Sequence, residues 1–216
     1  EPGRRCSGGP GGAGGAPGLV CAAAARYPAV MQIRAMTAAD LADVADIDAT
    51  VESDHYLHIN REGEGIAVRW IIEPRPLRQA RVHRPRMNDD VVFTIRQIIN
   101  QIEQGIAVVA EHDQQIMAFA AARPDLEAET MRLMDLRVDF DSRREGLGSA
   151  LLFYIVQEAR KLGLRAVTAH VASDNFPAVQ LLAKLNFELA GLDTHFKSNH
   201  DLVKDSVSLF WYLPLG

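Results

Sequence analysis

Cysteine is almost missing from this chain: of 216 residues only Cys6 and Cys21 carry a thiol. Both fall within the first thirty residues, so the chain from Met31 onward offers no disulfide, no thiolate zinc site and no cysteine nucleophile. Long apolar runs are missing too. Leu19 to Ala25 is the one signal-like piece, too short and too glycine-flanked for a secretory core, and no later run approaches the roughly 18 residues of a membrane span. A cytoplasmic protein without a membrane partner is the expectation. Excess positive charge is lacking as well: residues 31–216 hold 20 basic and 27 acidic residues, a net of −7, which excludes a general nucleic-acid binder.

Glycine is unevenly spread. Eight of the 16 glycines lie between Gly3 and Gly18 among proline and alanine, a composition that cannot bury enough apolar surface to offset its conformational entropy. Residues 1–30 are therefore expected to be a disordered extension. At Met31 the character changes, and MQIRAMTAADLADVADID reads as a strand and a capped helix, so residues 31–216 form one domain with ample core.

The periodicity of that domain predicts a strand at Gln32–Arg34 and a helix from Thr37 to about Ala49, with Leu41, Val44 and Ile47 facing inward. Residues 52–88 read as irregular. Within and beside them, Arg69, Arg75, Arg78, Arg81, Arg84 and Arg86 stand with only Glu73 as an acid, which suits phosphate or an acidic acceptor as well as a solvated loop. A second helix starts after Asn88 or Asp89, buries Val92, Ile95, Ile99 and Ile102, and stops at Gly105. Ile106–His112 and Gln115–Ala122 flank the polar turn Asp113-Gln114 as a hairpin, and a third strand runs from about Glu129 to Val138. A helix with Leu147, Leu151, Ile155 and Leu162 buried ends at Gly163; then come a strand at Arg165–Ala172, a helix at Phe176–Leu185, and strands at Phe187–Ala190 and Val207–Leu213. The fold class is mixed α/β, mostly antiparallel, with a central right-handed βαβ unit whose strands end at Val138 and Ala172.

Between that strand and helix lies Arg143-Arg144-Glu145-Gly146-Leu147-Gly148-Ser149. A diphosphate can rest on the free amides of a helix N-terminus only where side chains stay clear, and Gly146 and Gly148 supply clearance while Arg143 and Arg144 supply charge. The loop lacks the Gly-Lys-Ser/Thr ending of a Walker A loop, and its glycines are not spaced as in the dinucleotide fingerprint.

The loop resembles motif A of the GCN5-related N-acetyltransferase (GNAT) superfamily, Arg/Gln-x-x-Gly-x-Gly/Ala at the start of the helix after the fourth strand. SDNFPAVQLLAKLNFELAG, Ser173 to Gly191, resembles motif B, with Asn175, Ala178 and Phe187 in register and Asn186 in place of the usual glycine. Asparagine tolerates the left-handed conformation needed there. The tail Leu192–Tyr212 is similar to that of streptothricin-type acetyltransferases.

The resemblance implies a GNAT-like fold and acetyl-CoA as co-substrate, with no metal. It places the pyrophosphate on the amides of Arg144 to Ser149 beside Arg143, the thioester carbonyl on the backbone of Leu136, the pantetheine arm along Val138, and Asn175 beside them. The implied reaction is direct attack by an amine on the thioester. An alkylammonium is neutral in only about one molecule per thousand at pH 7, so a general base, direct or through water, is required. The candidates are His170 and Asp135; a core histidine and an Asp135 ion pair with Arg132 or Arg137 are the structural alternatives. Leu182 stands where many relatives place a tyrosine acid, leaving Tyr154, Tyr212 and Ser173 to be considered. An acidic body suits a small polyamine or streptothricin-like acceptor; a protein or peptide amine and a non-catalytic acetyl-CoA-binding module are the alternatives, and a homodimer stays open. His55 and His58, with Glu52 and Asp54, mimic a metal site, whereas His195, Phe196 and His200 suit either the acceptor side or a surface loop.

Overall fold

The computed structural model describes residues 31–216. The extension 1–30, with its expected disorder and both cysteines, lies outside the described residues. Nine strands and four α-helices follow one another: β1 (Gln32–Ala35), α1 (Leu41–Asp46), β2 (Val51–Glu62), β3 (Arg69–His83), α2 (Asp89–Ile99), β4 (Ile106–His112), β5 (Gln115–Asp125), β6 (Thr130–Val138), α3 (Leu147–Lys161), β7 (Ala166–Ala172), α4 (Phe176–Lys184), β8 (Glu188–Asp193) and β9 (Ser208–Pro214).

Seven strands form one sheet in the order β1-β4-β5-β6-β7-β9-β8, and β2 pairs with β3 in a separate ribbon. The β4–β5 turn is the expected one: Asp113 (φ 50°) and Gln114 (φ 66°) both take the left-handed conformation that matches strand twist in a two-residue hairpin. Along β5 the small side chains alternate between two cores. Ala118, Ala120 and Ala122 face Leu151, Leu152, Ile155 and Ala159 of α3, while Phe119 and Ala121 face Val44 of α1 and Ile95 of α2. Alanine at these positions lets α3 lie close to the sheet, and all five residues are fully buried.

Among the described residues only β6 and β7 pair in parallel, and they do so over just Thr130–Arg132 and Ala166–Thr168. Each is held on its other side along almost its whole length, β6 by β5 and β7 by β9. The βαβ unit is as expected, and beyond Arg132 its two strands part.

Four expectations are corrected. Residues 52–88 are not irregular: β2 and β3 pair from Val51–His83 to Glu62–Arg69, with residues 77–80 bulging opposite Asp54. Pro74 and Pro76 hide this ribbon from period-2 reading, yet proline is tolerated on a strand with a free edge. Ile59 is buried in the main core, and Leu57, Trp70 and Ile72 pack against it. The first helix is one 3-10 turn at Ala38–Asp40 followed by α1, and it ends at Asp46, where Ile47 turns to extended backbone. α2 ends at Ile99, with Asn100 closing the turn and Ile102 exposed, so Gly105 is not its stop. Leu162 is also exposed; it follows the last turn of α3, which Gly163 (φ +69°) terminates as expected.

The short N-terminal turn is fixed by charge. Asp40, 7% exposed, accepts two bonds from the Arg34 guanidinium at 2.8 Å and a bond from the Thr37 amide at 2.7 Å, while Arg34 also reaches Glu111 on β4 at 2.6 Å. Arg34, opposed first by burial, then helped by the Thr37 amide, holds the Asp40 carboxyl well below the usual carboxylate range. A group with its folded pKa depressed contributes stability above its unfolded pKa and loses it as pH falls through the folded value. Asp40→Asn is expected to destabilise the domain by about 2 kcal/mol at pH 7 in urea unfolding. The gap between the two proteins should close only below about pH 4; an Asn variant as stable as the parent at pH 7 would remove the network from the fold's support.

Candidate active site

Where β6 and β7 part, two strand edges face each other unpaired: Leu133–Val138 on one side and Ala169–Ala172 on the other. Leu136 and Val138 turn their side chains to the α3 core, so Asp135 and Arg137, which alternate with them, point to the opposite face. A bulge at Met134 sets this phase, because Ala121 pairs with Asp135 and Ala122 with Leu133.

At the end of β6 the chain makes a 3-10 turn, Phe140–Ser142, and enters α3 through the glycine loop. Arg144 (φ 68°) and Gly146 (φ +92°) are both left-handed, which turns the following amides in one direction. The first helical bond is Ala150 N–H to the Gly146 carbonyl at 2.9 Å. Among the described residues, the amides from Arg144 to Ser149 donate to nothing. Space around a Cβ at Gly146 is open, so glycine is needed there for its φ. Gly148 serves packing: a Cβ would meet Leu181 Cδ2 of α4 at 3.2 Å. The two glycines thus divide the clearance expected of both.

The two arginines also divide. Arg143 turns inward, donating from Nε to the Val138 carbonyl at 3.2 Å, with its guanidinium 5.2 Å from the Phe140 ring centre. Burial lowers its pKa against the opposing pull of Asp48, Asp139 and Glu52. Arg144 is exposed and lines an open cleft with Asp54, His55, Pro74, Pro76, Phe176 and Gln180. Four of those residues belong to the β2–β3 ribbon, which sequence reasoning left without structure; the apolar pairs Leu57–Ile59 and Trp70–Ile72 were its available signal.

The ribbon is fastened to the site. Leu57 N–H donates to the Ser173 carbonyl at 2.9 Å, Phe176 N–H to Ser53 Oγ at 3.2 Å, and His55 stacks on Phe176 with ring centres 5.4 Å apart. Arg81 lies 3.4 Å from Asp174. Asn175 caps α4, its Oδ1 accepting from Ala178 N–H at 3.3 Å.

On the face opposite α3, His170 of β7 lies among aromatic rings, 4.5 Å from Phe196 and 5.2 Å from Phe210. Its Nε2 is buried and has no partner among the described residues. Burial first, then Lys197 and Arg132, push its pKa below the ordinary histidine value, so the ring is neutral at pH 7. Asp135 on β6 accepts from Arg137 Nε at 2.9 Å, the ion pair weighed in the sequence, and the buried Arg137 also donates to the Pro85 carbonyl at 3.1 Å. Asp135 Oδ1 takes no hydrogen bond among the described residues.

The other candidates separate. Leu182 is core. Ser173 is fully buried and committed, donating to the Asp205 carbonyl at 3.0 Å and accepting from Val207 N–H at 2.9 Å. Tyr212 holds Arg165 at 2.9 Å, and Tyr154 packs against the core. His55 and His58 pair with different acids, Asp54 at 3.0 Å and Asp205 at 3.1 Å, and no group of three metal-binding side chains occurs among the described residues. Phe196 reaches the site, whereas His195 bonds Thr194 at 2.8 Å and His200 sits in an exposed turn. No helix among the described residues is long and apolar enough to cross a membrane.

Comparison with known proteins agrees with this geometry. The ribosomal protein bS18-alanine N-acetyltransferase of Escherichia coli K12 is 29% identical over 108 residues, covering 50% of this chain and 72% of that protein. A nourseothricin acetyltransferase structure superposes with a TM-score of 0.70 at 19% identity, covering 86% of this chain and 99% of its own. A Bacillus anthracis protein assigned as a streptothricin acetyltransferase, solved with acetyl coenzyme A, gives 0.68 at 19% identity with the same coverage. These structures share the fold. Residues 68–187, more than half of the sequence, match the family model described as Acetyltransferase (GNAT) family, and the chain belongs to that family.

Proposed function

We propose that this protein transfers the acetyl group of acetyl coenzyme A to a primary amine of a small molecule by direct attack. The observation that carries the reading is the run of unpartnered amides at the start of α3, opening beside the gap between β6 and β7. The cradle fits a pyrophosphate: Gly146 leaves open space, the helix N-terminus favours anions, and the exposed Arg144 stands beside it. The amides of Arg144, Gly146, Leu147, Gly148 and Ser149 hold the phosphates, while Arg143 steadies the end of β6 through Val138. The free edge of Leu136 and the amide of Val138, whose carbonyl Arg143 occupies, align the pantetheine arm, and Asn175 fixes the opposite wall by capping α4. Acetyl coenzyme A supplies an activated acyl thioester.

The residues of the chain then have to place and deprotonate the amine. His170 is the base: neutral at pH 7, on the face away from α3, at the edge of the gap. Asp135, steadied by Arg137, keeps one oxygen open to attract the incoming ammonium. With Leu182 apolar and Ser173 committed, the thiolate departs without help from motif B, at modest cost for a thiol of pKa about 8.5. A peptide amine is the second reading, favoured by the likeness to the bS18-alanine enzyme.

The test is thiol release from acetyl coenzyme A with the 216-residue chain and a panel of small amines, streptothricin and peptides. Turnover on small amines supports the proposal. Turnover on peptides alone selects the second reading, and tight coenzyme binding without turnover on any acceptor would leave a non-catalytic binding module.

Two variants examine the parts separately. Gly146→Val puts a branched side chain at φ +92° in the phosphate space and should weaken acetyl coenzyme A binding about tenfold or more by calorimetry; undiminished affinity would move the cofactor elsewhere. His170→Gln should lower kcat by about 10²–10⁴. Because the neutral ring is the active form and its pKa is depressed, the parent's kcat/KM should hold down to about pH 6.5 and fall only below it. An acid limb centred above pH 7, or one that survives in His170→Gln, would exclude His170 as the base.

A further inference from the structure

We propose that the acceptor carries a carboxylate near its amine and that Arg132 and Lys197 hold it on the sheet face that presents His170, a reading that rests on the acetyl transfer proposed above. Strand register places the arginine. Arg132 pairs with Thr168 at the last step before β6 and β7 part, and His170 lies two residues further on the same face. Strand spacing and rise put the two Cα atoms about 8 Å apart. Lys197 comes from the other side, adjacent in sequence to Phe196, whose ring lies 4.5 Å from His170.

The positive charge here is unrelieved. On the other side of Arg132 stands Arg123 of β5, its direct register partner. Like charges directly opposite in a sheet are destabilising, and a bland surface position would carry an acid or a neutral residue. Among the described residues, no carboxylate oxygen lies within 4.0 Å of the side-chain nitrogens of Arg123, Arg132 or Lys197. Three nearby acids are engaged: Asp135 with Arg137, Asp125, two residues after Arg123, with the amide of Ala128, and the buried Asp201 with the backbone amide of Lys197 at 2.8 Å. Both Arg132 and Lys197 act on the His170 ring, so they lie within electrostatic reach of the reacting end of the gap.

This distribution matches a zwitterion. A carboxylate between Arg132 and Lys197 leaves the ammonium of the same molecule directed along β6 toward the open oxygen of Asp135 and the backbone of Leu136. A guanidinium fork takes a carboxylate through two parallel bonds, which fixes orientation as well as charge. A polycation meets the opposite field: it must pass three positive side chains to reach the base, although the domain as a whole is acidic.

The experiment compares amino acids with their own carboxamides, alongside putrescine and streptothricin, at pH 8, where His170 is neutral whatever its neighbours. The acid forms should be preferred about tenfold in kcat/KM, chiefly through KM. Arg132→Gln should bring each acid to parity with its amide, Lys197→Gln should lower the preference, and Arg132→Lys should retain part of it. Calorimetric binding of the same pairs to the chain saturated with coenzyme A reads the same preference without turnover. Acid-selective binding lost in Arg132→Gln, with no turnover, would uphold the anion site and sink acetyl transfer. Turnover of putrescine, streptothricin or the amides at least equal to the acids, or a preference unchanged in Arg132→Gln, would overturn this proposal and leave acetyl transfer standing.

Discussion

The parting of β6 from β7 after three paired residues is the constraint on which the site depends. Unpaired backbone groups inside a sheet are costly, and the fold tolerates them because each strand keeps a complete partner on its other side. The sheet is therefore two intact half-sheets hinged at Arg132 and Thr168. Crossing from one to the other, α3 packs against β4, β5, β6 and β7. Gly148 matters at this level, since its missing side chain lets α3 meet Leu181 of α4, the helix that follows β7. The helix that spans both halves of the gap is thus the same one whose N-terminus offers the unpartnered amides.

Electrostatics at the mouth follow from chain order. Asp48, just before β2, and Glu52 within it act on Arg143, while Asp54 lines the cleft together with Arg144. Arg143 spends its charge on the Val138 carbonyl and an aromatic ring, so it serves as a structural tie. Arg144, held left-handed at φ 68°, stays in solvent. Identical side chains one residue apart thus acquire different work, because backbone conformation sends one inward and the other outward.

Features with a local cause were legible in the sequence. The Asp113-Gln114 turn, the left-handed Asn186, the Gly163 stop and the glycine loop each need only a few neighbouring residues, and all lie where expected. The β2–β3 ribbon was not legible, because its prolines and charges erase the period of two while its apolar residues pair across the hairpin, Ile59 with Ile72. The site was half readable for the same reason. Gly146 and Arg144 could be named from spacing, but the surroundings of His170 come from Phe210, 40 positions later, which the β7–β9 register places opposite it, and from Phe196, 26 later, in the connection between β8 and β9.

Those surroundings set the charge of His170. A ring enclosed by Phe196 and Phe210 loses hydration, which favours its neutral form, and the nearby Lys197 and Arg132 push in the same direction. Were an acid the nearest neighbour instead, the ring would be protonated near neutral pH and could not accept a proton from an ammonium. On the proposed reading, the cations near His170 have two compatible consequences: they would keep the base unprotonated, and they would set a field that favours an acceptor bearing its own negative charge. A carboxylate seated between them would partly neutralise that field and raise the proton affinity of His170 as the acceptor arrives. On that reading the base would strengthen when its substrate is in place and stay unprotonated when the site is empty.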